Sequence, residues 1–281
     1  MSKYFKILRI SLMERLVYRA DFFVATLFRF LPLLTTFLLW EAVFAGSGER
    51  QIGGFTRDQM IAYLLLVQVS RMFSSMPGLA TGITRDIRDG NLKKYLLQPI
   101  DMLWYLLSYR GAHKMAYIAT VALPYGILFF FCRDFFDHFP LGWALLAYLV
   151  SLILSFAIGF FFEACIGMAG FWLLEVTSLM YIINIVTFFV SGQLFPIDLL
   201  RLSPDRVGPT VSAIMGVFVD TLHYLPFHYL AYFPAMVFLG MTTGEELAWG
   251  LAIELAWAVF FILLSRGLFR LGLRHYSAYG G

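Results

Sequence analysis

The sequence predicts an all-α polytopic membrane bundle with six transmembrane helices, an N-terminal interfacial helix and an extracytoplasmic re-entrant helical hairpin. Three observations lead there. Hydrophobic residues make up 60% of the 281-residue chain and charged residues only 14%, against about 45–50% and 25% in soluble domains. Apolar stretches of near-spanning length recur along its whole length, and a chain of this size has room for roughly six spans of about 20 residues. The basic residues are also distributed unevenly between the connections, which orients such a bundle. One membrane domain, residues 1–281, is the expected organisation.

Residues 1–21 come first. Phe5, Leu8, Leu12 and Leu16 fall on one face of a helix, with Lys6, Arg9 and Arg19 mostly elsewhere. That pattern fits an amphipathic helix lying on the membrane surface, or more simply a basic tail. Its five spread-out basic residues, followed by a long apolar run, do not resemble a cleavable leader, so the run is expected to remain as an anchor.

Six apolar runs follow, at about Phe22–Ala45, Gln59–Thr81, Met115–Cys132, Leu141–Glu163, Val176–Phe195 and Leu247–Leu268. A seventh apolar region, Val211 to Leu239, is interrupted by Asp220, His223, Pro226, His228 and Pro234. Charge parity decides how to treat it. With six spans and both ends cytoplasmic, fourteen basic residues lie inside: five in the N-terminal segment, then Arg85, Arg88, Lys93, Lys94, Arg110, Lys114, Arg266, Arg270 and Arg274. Five lie outside: Arg50, Arg57, Arg133, Arg201 and Arg206. A seventh crossing would invert the basic C-terminus, so the region is expected to dip in and return within an outer segment 196–246, turning at Pro226. Such backbone is tolerated at membrane depth only when protein or water covers it.

The cytoplasmic connection 82–112 holds TRDIRDGNLKKYLLQPID, in which Ile87, Leu92, Tyr95, Leu96 and Leu97 alternate with Arg88, Asp89, Lys93 and Lys94. Gly90 offers a turn and Pro99 a helix stop. A short amphipathic element there would present a face to a cytoplasmic partner; a loop resting on headgroups is the plainer alternative. The net charge of +3 reflects orientation rather than nucleic-acid binding. Cys132 and Cys165 fall near opposite ends of one hairpin, too far apart for a disulfide.

The run IRDGNLKKYLLQPI at 87–100 resembles the cytoplasmic loop of bacterial ABC transporter permeases of the ABC-2 family. SGQLFPIDLL at 191–200 and LPFHYLAYFP at 225–234 resemble the outer part of the same group, and the likeness extends over most of the chain. The resemblance implies a half-transporter in the bacterial inner membrane, pairing with an identical or sister permease and with cytoplasmic ATPase subunits. It also implies that Ile87–Leu97 includes the segment fitting the ATPase, that residues 1–21 form a connecting helix, and that the cargo is an amphiphilic, lipid, glycan or drug-like molecule. No cofactor is expected in this chain. The five lysines are followed by Tyr4, Ile7, Lys94, Tyr95 and Met115, so no phosphate-binding Gly-rich loop ends in Lys-Ser or Lys-Thr, and ATP and magnesium would belong to the partner.

Intramembrane polar groups are the remaining candidates. Arg71 falls near the middle of the second run, with Gln68 one turn away, and a charge at that depth costs about 2.5–3.5 kcal/mol on insertion scales. It either faces an interior path or subunit interface, where it could meet an anionic headgroup, or serves a structural salt bridge. Glu41 and Glu254 are possible ion-pair partners rather than catalytic groups, and Glu254 joins Arg71 and Gln68 as a candidate for the substrate path or subunit interface. Gly78 and Gly82 have the spacing of a close helix contact. His223 and His228 are five apart, which does not favour a metal site, and no catalytic constellation converges. An ion-coupled transporter would want several deep acidic groups and an internal repeat, and a membrane-embedded enzyme a nucleophile, base or metal set; both remain as alternatives.

Overall fold

A computed structural model describes residues 2–17, 19–136, 139–173, 175–201, 204 and 208–276, with the side chains of 2–4, 14–27 and 29 outside that description. The expectations for Leu16, Arg15, Arg19, Arg29 and Arg206 therefore concern side chains outside the described residues. The chain runs α1 (Ser2–Val17), α2 (Arg19–Ser47), a small hairpin β1 (Gln51–Ile52) and β2 (Phe55–Thr56), α3 (Arg57–Ser74), α4 (Leu79–Arg88) and α5 (Lys93–Leu96). It continues with α6 (Met102–Phe131), α7 (Trp143–Met168), α8 (Thr177–Val190), α9 (Pro209–Tyr224), α10 (Tyr232–Phe238) and α11 (Gly244–Leu273). The protein is an all-α polytopic membrane bundle. Among the described residues, four helices, α2, α6, α7 and α11, are long and apolar enough to cross a membrane. The 18 residues of α3 reach about 27 Å at 1.5 Å each, whereas the 14 residues of α8 reach about 21 Å, short of a hydrocarbon core of about 30 Å.

The central helix is α7, packed against α11, α3, α4 and α10. Three glycines let neighbouring backbone approach it closely. A Cβ on Gly159 would collide with the Ser74 carbonyl, one on Gly167 would meet Ile83 and Ala80, and one on Gly170, in the turn after α7, would meet Thr84. The Thr84 hydroxyl donates to the Gly167 carbonyl at 3.1 Å, pinning α4 to this seam. The glycine pair singled out from sequence plays no such part: a Cβ on Gly78 or Gly82 meets nothing within 4 Å. The close packing expected of this pair is not found, because both positions border open space.

The second apolar run, expected as one span over Gln59–Thr81, is broken. A capping box starts α3, where Gln59 N–H donates to Thr56 Oγ1 at 3.3 Å and Thr56 N–H to Gln59 Oε1 at 3.1 Å. It ends at Ser74; Ser75 turns extended, Pro77 follows, and Gly78 takes a φ of +74° before α4 begins. Proline disfavours a helical residue before it and lacks a donor, and a positive φ suits glycine. The expected cytoplasmic loop 82–112 contracts accordingly, because α4 extends to Arg88 and α6 begins at Met102 instead of near Met115. Asp101 caps α6 by accepting the Trp104 N–H at 3.0 Å and also holds Arg266 of α11 at 2.5 Å. Arg110 and Lys114, counted from sequence as loop cations, are on α6.

The apolar region after α8 does bend at Pro226, between α9 and a 3-10 turn over His228–Leu230. Its two arms differ. Tyr232, Phe233, Ala235 and Val237 of α10 are buried against α7 and α3, with the Phe233 ring seated on Gly250 of α11. Val211, Ile214, Val217 and Phe218 of α9 are exposed. At the N-terminus, α1 packs along α6, burying Ser11 and half-burying Leu8 and Leu12. Phe5 is exposed with Ile10 and Met13, so the apolar residues occupy two sides of α1 rather than the single stripe expected.

Candidate functional site

Two features stand apart from simple packing: the α4–α5 unit and a polar cavity above it. In α4, Leu79, Ala80, Ile83 and Ile87 are buried on one face, and Arg85 and Arg88 are on the other. Gly90 reverses the chain with a φ of +70°. Leu92 and Tyr95 then tuck inward, the Tyr95 ring lying 5.5 Å from that of Tyr105 on α6. A Lys94–Asp86 ion pair at 2.8 Å clamps α5 to α4, and this pairing raises the Lys94 pKa despite partial desolvation. Burial pushes the Tyr95 hydroxyl up to about 12. The residues expected to form one docking face are thus divided. Ile87, Gly90, Leu92 and Tyr95 hold the unit together, while Arg88, Asp89, Lys93, Leu96 and Leu97 are exposed, Leu97 at 84%.

The cavity, about 490 Å³, lies between the end of α3, the α3–α4 break, α7 and α8. Gln68 and Arg71 come from one face of α3, Ser75 from the break after it, Glu163 from α7, and Thr177, Tyr181 and Asn184 from one face of α8, with Gln193 beyond. Arg71 donates to Ser74 Oγ at 3.3 Å, and the Ser74 hydroxyl donates to the Leu230 carbonyl at 2.8 Å, linking this wall to the turn before α10. Glu163 Oε1 accepts the Met76 N–H at 3.3 Å, while its Oε2 is buried with no hydrogen-bond partner among the described residues. The carboxylate acting on Arg71 is Glu163. Neither acidic residue expected for that part supplies it: Glu41 pairs with Arg57 at 2.5 Å, and Glu254 is buried between α7 and α11, where the Ser155 hydroxyl reaches it at 3.3 Å.

The break itself is held by cations from α6. Lys114 Nζ donates to the Met72 carbonyl and, at 2.5 Å, to the Ser75 carbonyl, while Arg110 donates to the Pro77 carbonyl at 2.9 Å. The Met72 and Ser75 carbonyls lie at the end of α3, where a helix leaves carbonyls unpaired and its dipole favours positive charge. The sequence reading missed Glu163, Asn184 and the role of Lys114. A lone carboxylate in FAIGFFFEACIGM and a lone amide in YIINIVTFF were the available signals, since polar side chains inside apolar runs are expensive and seldom idle.

A broken membrane helix, its exposed carbonyls covered by side chains and its bend opening onto a polar cavity, is an arrangement used by transport proteins. A model of the ABC-2 family transporter protein matches residues 30–280. The chain belongs to the ABC-2 transporter family. No match is found among curated proteins. Members of the ABC-2 family are membrane permeases that generally work with an ATPase partner, and this permease carries its two distinctive features on one continuous stretch, α3 to α5.

Elsewhere in the permease, the chain leaving α9 brings His223 and His228 together, their rings 4.8 Å apart. His223 Nε2 lies 3.4 Å from Asp198, which also accepts the Tyr232 hydroxyl, so the pair braces the segment following α8. Among the described residues no group of three or more His, Cys, Asp or Glu is placed to hold a metal ion. Both cysteines are free thiols.

Proposed function

We propose that this permease is the membrane subunit of an ATP-driven exporter for an amphiphilic cargo. It sits in a bacterial inner membrane with both termini cytoplasmic, and pairs with a second permease, identical or a sister chain. ATP and magnesium are bound by a separate cytoplasmic ATPase. That ATPase docks on the exposed side of α4–α5, through Leu96 and Leu97 flanked by Arg88, Asp89 and Lys93.

One observation carries this reading: the exposed docking element is covalently continuous with the helix that bears Arg71. Force applied to Leu96 and Leu97 passes through Tyr95, Leu92 and Ile87 into α4, whose Thr84 is bonded to Gly167. From there it crosses the break at Ser75–Gly78 into α3 and the cavity wall. The interior is close-packed and deforms little, so displacement of α4 is transmitted rather than absorbed. Clustering of Arg266, Arg270 and Arg274 at the end of α11, which Arg266 joins to Asp101 near α4–α5, supports a cytoplasmic assignment for this end.

The test is co-purification of ATP hydrolysis with the full-length tagged chain from its native membrane. The double variant L96D/L97D is expected to lose that activity by about tenfold or more, roughly 1.4 kcal/mol per decade of affinity, while remaining inserted and monodisperse. Undiminished ATPase recovery with this variant overturns the docking assignment. Transport that persists without ATP and collapses with the proton gradient overturns the exporter reading in favour of ion coupling.

A further inference from the structure

The polar cavity does not end at the helix break. A second cavity of about 360 Å³ shares Gly78, Thr81 and Thr177 with the first and extends toward the α5 end of α4. Its walls bring Arg85 and Arg88 from α4 opposite Glu175, which precedes α8. Together the two spaces form a stepped groove. At each step cationic guanidinium groups stand on the α3–α4 side and a carboxylate on the other: Arg85 and Arg88 with Glu175, then Arg71 with Glu163.

The upper step is chemically incomplete. A guanidinium has five N–H donors, and the hydrogen bond Arg71 makes among the described residues is the one to Ser74. Glu163 takes the Met76 N–H on Oε1 and keeps Oε2 buried with no hydrogen-bond partner among the described residues. A buried polar atom left without a hydrogen-bond partner is costly even where its charge is balanced nearby, and the cost falls when a ligand supplies the missing acceptor or donor. The wall formed by α8 adds an amide, Asn184, while Ile182 and Ile185 on either side of it are exposed along the same helix.

We propose that this groove receives the headgroup of a phospholipid-like amphiphile, one that carries a phosphate next to a hydrogen-bond donor, an amine or a hydroxyl. The phosphate takes Arg71 and the donor takes Glu163, after entry past Arg88, Arg85 and Glu175. The acyl chains stay in the bilayer along α8. Calling this ligand the cargo rests on the exporter reading; the binding itself does not.

The experiment measures equilibrium binding to the purified full-length chain in neutral detergent, without ATPase. The probes are short-chain phosphatidylethanolamine, phosphatidylglycerol and phosphatidylcholine, with inorganic phosphate as the headgroup-free anion. Phosphatidylethanolamine and phosphatidylglycerol are expected to bind about tenfold tighter than phosphatidylcholine, whose phosphate lacks a neighbouring donor. R71Q weakens all three lipids by about tenfold, and R71K recovers part of the loss. E163Q brings the first two down to the level of phosphatidylcholine. Asn184→Leu, on the exposed helix and away from the packed core, weakens the donor-bearing lipids several-fold with an unchanged melting temperature, so the idea stays testable if E163Q does not fold. Equal affinity for the three lipids, R71Q binding like wild type, or inorganic phosphate binding as tightly as the lipids overturns the proposal. Because no ATPase is present, failure here leaves the docking experiment on Leu96 and Leu97 unaffected, and the reverse also holds.

Discussion

α3 and α8 face each other across the polar cavity, yet α3 buries every side chain from Met60 to Val67, whereas α8 buries Thr187 alone among its residues. The first wall is fixed from several directions. Glycines of α7 admit its backbone, Lys114 and Arg110 bind the carbonyls at its end, and Ser74 bonds to the turn before α10. The second wall is tied mainly at its ends, by buried Val176 and by the Gly192 carbonyl accepting the Tyr63 hydroxyl at 2.6 Å. A cavity with one rigid and one loosely packed wall has an obvious moving part, since low contact density and exposed surface mark the less stable elements of a fold. In the exporter proposed above, α8 is the side that yields when α4 shifts.

The contrast is broken most severely at Gly159. Its Cβ would occupy the position of the Ser74 carbonyl, and backbone cannot swing aside as a side chain would. Gly159→Val is expected to destabilise the chain by about 3 kcal/mol, the upper end for overpacking, read as a lowered melting temperature in detergent. A melting temperature equal to wild type would mean that α3 is not held against α7.

Next in size is Lys114→Met, which keeps the stem's volume but removes the ammonium from the Met72 and Ser75 carbonyls. Hydrogen bonds to charged groups contribute about 1.5–3 kcal/mol, so a loss of about 2 kcal/mol is expected in the same melting assay. Faster proteolysis at the α3–α4 break should accompany it. Ser74→Ala is milder. It removes one buried bond to Leu230 and one contact with Arg71, and should cost about 1 kcal/mol.

How far the sequence anticipated this follows from the range of the interactions involved. α2, α6, α7 and α11 were legible because each carries a long apolar run, and the bend at Pro226 because proline punctuates an otherwise apolar stretch. Arg71 was legible as an anomaly of depth. The break was not read from Pro77-Gly78, a turn signal, because apolar residues on both sides satisfied the count for a span. Nor could spacing distinguish Gly78 and Gly82 from Gly159, Gly167 and Gly170; only the partner helix decides which glycines are pressed against backbone. In the loop, alternation of apolar and charged residues suggested one face. The turn at Gly90 places Leu92 and Tyr95 inward and leaves Leu96 and Leu97 outside, a choice made by contact with α4 and α6 and not by local pattern.

The smallest effect is expected on the loose wall, and it is the one that most sharpens the contrast. Ile182 is 61% exposed near the middle of α8, so its truncation to Ala leaves no cavity and removes contacts mainly with surrounding lipid. Exposed positions away from caps and buried networks usually change stability by no more than about 0.5 kcal/mol, and Ile182→Ala should melt like wild type in detergent. The same substitution has a different consequence where two permeases meet. If the exposed side of α8 covers its counterpart in a second copy, Ile182→Ala weakens self-association measured by sedimentation while the melting temperature stays put. A drop in melting temperature comparable to that of Ser74→Ala would show instead that α8 is packed within its own chain, and the distinction between a fixed and a yielding wall would fall.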